Sequence, residues 1–323
     1  VFGGSGQGTY YRYGASYATG DFNGDGDTDL AGGAPMTYYY SSGVYTTVGS
    51  VSVSDNADGW YNTSNGIYAF SGSVIYGDLG SANGNSVAES FGSAMAAGDF
   101  DGDGEDDLLL CASGNNDGIG ACYAVSGADA MAAAYDEVQD FAFASFVGTN
   151  ASDGVGINAR SVAADDLDGD GNSDVVIGVS GDDTAGSNYG AVMVHWGGSW
   201  SGTYTVGSTD ATLYGDGSLG LSVSLPGDIS GDGVGDILLG STGMDSSAGG
   251  AWLVDGSVSG GVTLPTHSLM NYTGENAGDL LGTRAVGGVD VDEDGKLDVA
   301  LSAPSYNSTA SDVGRVYVLP AEN

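Results

Sequence analysis

An acidic fifteen-residue pattern recurs five times along the chain: DFNGDGDTDLAGGAP from Asp21, DFDGDGEDDLLLCAS from Asp99, DLDGDGNSDVVIGVS from Asp166, DISGDGVGDILLGST from Asp228 and DVDEDGKLDVALSAP from Asp290. The starts lie 78, 67, 62 and 62 residues apart. That period suits one four-stranded blade with its loops, and the long first interval marks an insertion. Each copy is preceded by an apolar residue and a glycine: Tyr13-Gly14, Phe91-Gly92, Val155-Gly156, Leu219-Gly220 and Leu281-Gly282. A strand-like run follows each, at Gly49, Gly120, Gly190, Gly250 and Gly314, rich in β-branched and aromatic residues. A further run begins at Gly72, Phe143, Ala211 and Leu269, and the fifth copy lacks it.

These repeats predict a single all-β domain over residues 1–323, a five-bladed β-propeller of four-stranded antiparallel blades. Val1-Phe2-Gly3 is expected to close the ring as the outer strand of the last blade, so that no long sheet edge stays open. Five independent hairpins are excluded, because isolated sheets of this size cannot bury their apolar faces.

Within each copy, acids or their substitutes stand at positions 1, 3, 5 and 9, with glycine at position 6. The sets are Asp21, Asn23, Asp25, Asp29; Asp99, Asp101, Asp103, Asp107; Asp166, Asp168, Asp170, Asp174; Asp228, Ser230, Asp232, Asp236; and Asp290, Asp292, Asp294, Asp298. Calcium takes roughly 6 to 8 oxygen ligands, and a loop wrapped around the ion turns alternate side chains inward while glycine makes the tight turn. A backbone carbonyl at position 7 adds one ligand, from Asp27, Glu105, Asn172, Val234 or Lys296. About five Ca²⁺ ions are therefore expected.

An EF-hand needs a glutamate at position 12, where these copies hold Gly32, Leu110, Ile177, Leu239 and Leu301. Magnesium is disfavoured by the many carboxylates, and transition metals by loops without His or Cys. The fourth loop, with Ser230 at position 3, is expected to be the weakest. In the fifth, Glu293 replaces the position-4 glycine, which either strains the turn or leaves the side chain in solvent.

The combination of apolar-Gly, Asp-rich loop and a strand ending near Gly-Ala-Pro resembles the FG-GAP repeat of integrin α-subunit propellers. Phe91-Gly92 and Gly33-Ala34-Pro35 carry its two halves most literally. Integrin propellers have seven blades, only some with calcium, whereas five motifs here look like five calcium-loaded blades, closer to bacterial FG-GAP proteins. The resemblance places the calcium loop between the first two strands of a blade and implies partner binding mainly on the opposite face. There the insertion after Pro35 carries Tyr38, Tyr39, Tyr40 and Tyr45, suited either to protein or carbohydrate contact or to packing among themselves.

The chain has 43 acids against 5 bases, a formal charge of -38. That field repels nucleic acid and anionic membranes. No apolar stretch approaches the roughly 20 residues of a membrane span, and no membrane insertion is expected. His195 and His267 stand in no catalytic motif, and no nucleophile signature appears. Cys111 and Cys122 either bond across a hairpin or remain two buried thiols. The expectation is a non-enzymatic domain: a monomeric, secreted or cell-surface, extracellular calcium-binding scaffold for adhesion or recognition of an unknown protein or carbohydrate. A propeller hydrolase, lyase or lectin, with its site opposite the calcium loops, is the competing class.

Overall fold

The computed structural model describes residues 12–41, 44–55, 61–62, 68–69, 72–77, 90–114, 118–187, 189–307 and 313–320. Its strands form five successive sheets, each opened by the strand that leads into an acidic loop. Blade 1 comprises Tyr17–Gly20, Asp29–Ala34, Ser50–Ser54 and Ser73–Tyr76. Blade 2 comprises Phe91–Gly98, Asp107–Ala112, Ala121–Val125 and Ala144–Val147. Blade 3 comprises Val162–Asp165, Asp174–Val179, Tyr189–His195 and Ala211–Asp216. Blade 4 comprises Ser222–Gly227, Asp236–Ser241, Gly250–Asp255 and Ser268–Thr273. Blade 5 comprises Arg284–Val289, Asp298–Ala303 and Arg315–Leu319. Neighbours within each set pair antiparallel, and the inner strands pack in order from blade 1 to blade 5. This is the architecture of a β-propeller.

The four-strand expectation needs correction in three blades. Ala134–Glu137 pairs parallel with the outer strand of blade 1, Gly202–Thr205 with that of blade 2 and Gly260–Thr263 with that of blade 3. Each segment lies in the connection between the third and fourth strands of the following blade, so every such blade extends its predecessor by a fifth strand. The sequences AYDE, GTYT and GGVT are short and weakly patterned. The exposed edge beside them supplies the ladder they join.

The core is divided among blade interfaces, because alternate residues of a strand point to opposite faces. Ile75 and Val51 meet Leu108 and Leu110 between blades 1 and 2. Leu109 and Phe146 meet Ile177 and Met193 between blades 2 and 3. Val192 and Leu213 meet Ile237 and Trp252 between blades 3 and 4. Leu238 and Leu253 meet Val299 and Leu301 between blades 4 and 5. Among the described residues the inner strands of blades 1 and 5 have no comparable packing against one another. Tyr17 is 74% exposed and Val316 67%. The closing strand expected at Val1-Phe2-Gly3 lies outside the described residues.

The glycines of the repeat explain how blades approach so closely. A Cβ added to Gly33 would stand 2.3 Å from the carbonyl oxygen of Gly92, and one on Gly178 would stand 2.0 Å from that of Gly220. Gly92 and Gly220 have φ of 84° and 88°, a left-handed conformation that a side chain disfavours. The glycine before one acidic loop thus packs on position 13 of the previous repeat. In blade 2 position 13 is Cys111, bonded to its cross-strand partner Cys122. A Cβ on Gly156 would fall 2.6 Å from Cys111 Cβ. The two cysteines are therefore a disulfide, and Gly156 makes room for it.

Candidate metal centre

All five acidic loops fold alike, and the similarity is set by side chains folding back onto the backbone. At position 1, Oδ1 of Asp21, Asp99, Asp166, Asp228 and Asp290 accepts the N–H of position 5 at 3.1 Å. Oδ2 of the same residues accepts the N–H of the position-6 glycine at 2.8 to 3.0 Å. At position 5, Oδ1 of Asp25, Asp103, Asp170, Asp232 and Asp294 accepts the N–H of position 7, which belongs to Asp27, Glu105, Asn172, Val234 and Lys296. At position 9, Oδ2 of Asp29, Asp107, Asp174, Asp236 and Asp298 accepts the N–H of position 2 at 2.7 to 3.1 Å. These last five carboxylates are buried at the first residue of the second strand.

Position 3 divides the loops. Oδ1 of Asn23, Asp101, Asp168 and Asp292 accepts the N–H of position 5. In the fourth loop Ser230 instead donates its hydroxyl to Asp228 at 3.2 Å. Carboxylate oxygens of Asp99, Asp101 and Asp107 lie within 4.8 Å of one another, as do those of Asp166, Asp168 and Asp174 and those of Asp290, Asp292 and Asp294. These are the three loops with aspartate at position 3. Glu293 at position 4 is exposed with φ of 63°, the turn conformation that Gly24, Gly102, Gly169 and Gly231 adopt elsewhere. Its side chain points to solvent and its backbone carries a cost of about 1 kcal/mol.

Convergence has an electrostatic cost. Burial, then repulsion from Asp101, raises the Asp107 carboxyl to about 7, against the N–H groups of Phe100 and Gly127 that favour its anion. Burial raises Asp174 to about 6 and Asp236 to about 6, again opposed by backbone N–H groups. Among the described residues Asp236 Oδ1 is buried with no hydrogen-bond partner, an acceptor that lacks compensation for its lost water. An all-oxygen donor set with crowded carboxylates and one orphaned acceptor fits a hard divalent cation.

The loops are also joined to one another. The position-8 N–H of Asp106 donates to the Asp21 carbonyl at 2.9 Å, that of Ser173 to Asp99 at 2.7 Å and that of Gly235 to Leu167 at 2.8 Å. Asp106 Oδ2 returns a contact by accepting the Asp21 N–H. Loops 1 to 4 thus form a hydrogen-bonded rim on one end of the blades. Spacing alone revealed the acidic positions of the loops; these cross-blade bonds had no sequence signal, since position 8 is variously Thr28, Asp106, Ser173, Gly235 and Leu297.

Elsewhere, His195 is buried beside Phe146, Trp200 and Tyr204, with Asp210 against its Nδ1. Burial lowers its pKa, and Asp210 opposes that shift. His267 lies exposed on a separate blade. Tyr38–Ser41 and Val44–Thr47 form a hairpin in which Tyr40 faces Tyr45 across the ladder; the side chains of Tyr39, Tyr40 and Tyr45 lie outside the described residues. No helix is long and apolar enough to cross a membrane among the described residues.

Residues 13–54, 91–125 and 282–319 match the FG-GAP repeat family. They include the first, second and fifth acidic loops. No curated protein matches the chain.

Proposed function

We propose that this FG-GAP repeat protein is an extracellular recognition scaffold whose five acidic loops hold structural calcium. The observation that carries the reading is the common loop geometry, in which position-1 and position-5 carboxylates are tied to the backbone in every copy. Side chains so fixed are preorganised for an ion, which then loses little ordering entropy on binding. Calcium would be held by the carboxylates and amide or hydroxyl groups at positions 1, 3, 5 and 9 with the position-7 carbonyl, and would supply the positive charge these groups lack.

Because loops 1 to 4 are hydrogen-bonded in series, an ion that fixes one loop also fixes the edge of the next blade. The function of the metal is then mechanical: it stiffens one end of the propeller and leaves the opposite end as the recognition surface. Loops of this kind fill at the millimolar calcium found outside cells, which supports an extracellular location. The reading is of a binding protein and not an enzyme, since the His195–Asp210 pair is packed in an aromatic cluster with Phe146, Trp200 and Tyr204.

The test is calcium titration of metal-free protein, followed by native mass spectrometry and thermal unfolding. About five ions per chain and a large rise in Tm are expected. A protein that binds one ion or none, with an unchanged Tm, would show these loops to be ordinary turns.

A further inference from the structure

The chain has only five basic residues, Arg12, Arg160, Arg284, Lys296 and Arg315, and two of them line one cavity. This cavity, about 260 Å³, runs along the inner strands of blades 3, 4 and 5 between Arg160, Arg284, Ser222, Ser224, Val223 and Val286. Strands Val162–Asp165 and Arg284–Val289 both end at acidic loops. The arginines at their beginnings therefore stand at the opposite end of the molecule.

Neither guanidinium meets a carboxylate among the described residues. In a chain with 43 acids, that leaves both cations open to an external anion. Arg315 shows the usual outcome here: its Nη1 lies 2.6 Å from Glu275 Oε1, and its guanidinium lies 3.7 Å from the centre of the Tyr306 ring.

Arg160 is held in place instead of being left to wander. Its backbone N–H and its Nε both donate to Asn158 Oδ1, at 2.9 and 3.2 Å, and its carbonyl accepts the Val223 N–H at 2.6 Å. The four N–H bonds of its terminal nitrogens have no protein acceptor among the described residues. Arg284 is anchored through its backbone N–H on Ser302 Oγ at 3.0 Å, with its guanidinium exposed. Ser222 Oγ is occupied as acceptor for the Ala285 N–H at 3.0 Å, which fixes blade 4 against blade 5 beneath the cavity.

We propose that this cavity binds a carboxylate with a short aliphatic body. Guanidinium presents paired donors that match the two oxygens of a carboxylate. The adjoining wall, with Val162, Val223 and Ala285, suits alkyl carbon. A net charge of -38 penalises each additional negative charge on a ligand, so a monoanion is favoured over phosphate or sulfate. The two arginines stand at the end of the inner strands away from the acidic loops, and the cavity runs along Val162–Asp165 to the Asp165 carboxylate beside the third loop, so the ligand carboxylate is placed at the arginine end.

Butyrate, its neutral counterpart butyramide and inorganic sulfate are the probes, titrated by NMR against the calcium-equilibrated whole chain. Saturable butyrate binding is expected, at least about tenfold tighter than butyramide or sulfate, equivalent to about 1.4 kcal/mol. Arg160→Gln and Arg284→Gln should each weaken it about tenfold, while Arg315→Gln leaves it unchanged; unaltered melting of the variants separates a lost ligand contact from a lost fold. An acetylated and amidated Ala-Glu-Ala peptide that binds more tightly than butyrate assigns the carboxylate to a protein partner, and the reverse order assigns it to a free acid. Equal binding of butyramide, no saturation with butyrate, or indifference to both cavity variants overturns the proposal.

Discussion

Blades 3 and 5 are built from the same repeat and end in different surroundings. In blade 3, Ile177 and Met193 face blade 2 while Val176, Val192 and Leu213 face blade 4, and all are buried. In blade 5, Val299 and Leu301 are buried against blade 4, but Val286, Val316 and Val318 on the other face are exposed. The registers are equivalent, with Val316 opposite Ser302 and Val318 opposite Ala300. The repeat thus specifies a sheet with two apolar faces, and a neighbour decides whether either face becomes core. Stability in such an array is a sum of blade terms and interface terms.

The largest expected effect falls on both blades together. Removing calcium should lower Tm by about 20 °C or more, since several ions each contribute about 2.7 kcal/mol at a hundredfold excess over Kd. Hydrogen exchange locates the loss. If the comparison holds, blade 5 opens first, because among the described residues it has one interface instead of two; simultaneous opening would mean that the loops alone set local stability.

Single substitutions sharpen the contrast at smaller scale. Ile177→Ala should cost about 3 kcal/mol by leaving a cavity between two blades, whereas Val316→Ala should change stability by less than about 0.5 kcal/mol. Denaturant melts of the two variants in calcium give both numbers. Equal costs would show that the exposed face of blade 5 is covered in solution.

A pH effect comes next, confined to metal-free protein. Burial raises Asp107 to about 7 and both Asp174 and Asp236 to about 6, above the usual unfolded value near ~3.9. Their folded forms hold protons that the unfolded chain releases. The stability they contribute is complete below about pH 4 and is lost as pH rises through about 6 to 7. Tm of metal-free protein should therefore fall between pH 5 and pH 7.5. Saturating calcium favours the ionised carboxylates and should reverse the trend; a falling Tm in both conditions would place the metal elsewhere.

The smallest effect concerns one loop. Ser230 donates to Asp228 instead of presenting a carboxylate, so Ser230→Asp should tighten the weakest calcium site, by about tenfold if the added charge contributes about 1.4 kcal/mol. Calorimetric titration would resolve this as the loss of the weakest class of site.

Much of the molecule was legible because its constraints are local. The acidic residues at positions 1, 3, 5 and 9 recur along a few residues of each repeat, so Asp166 and Asp174 announce their relation through spacing alone. The strands were equally visible: the runs at Gly120 and Gly190 became Ala121–Val125 and Tyr189–His195. The cysteine alternatives, by contrast, were settled only by cross-strand register, which puts Cys111 directly opposite Cys122.

The sequence by itself determined the repeat, the order of its strands and the residues of its five acidic loops, because each follows from side-chain type and spacing over about fifteen positions. Only tertiary structure decided what passes between blades. The parallel strands at Ala134–Glu137, Gly202–Thr205 and Gly260–Thr263, the Gly33–Gly92 and Gly178–Gly220 contacts, the hydrogen bonds linking loops 1 to 4, and the cavity shared by Arg160 and Arg284 all join residues of different repeats. The physical reason is that a neighbouring blade supplies the other half of each interaction: an open edge, a carbonyl at close range or a second cation. No pattern within one repeat carries that information.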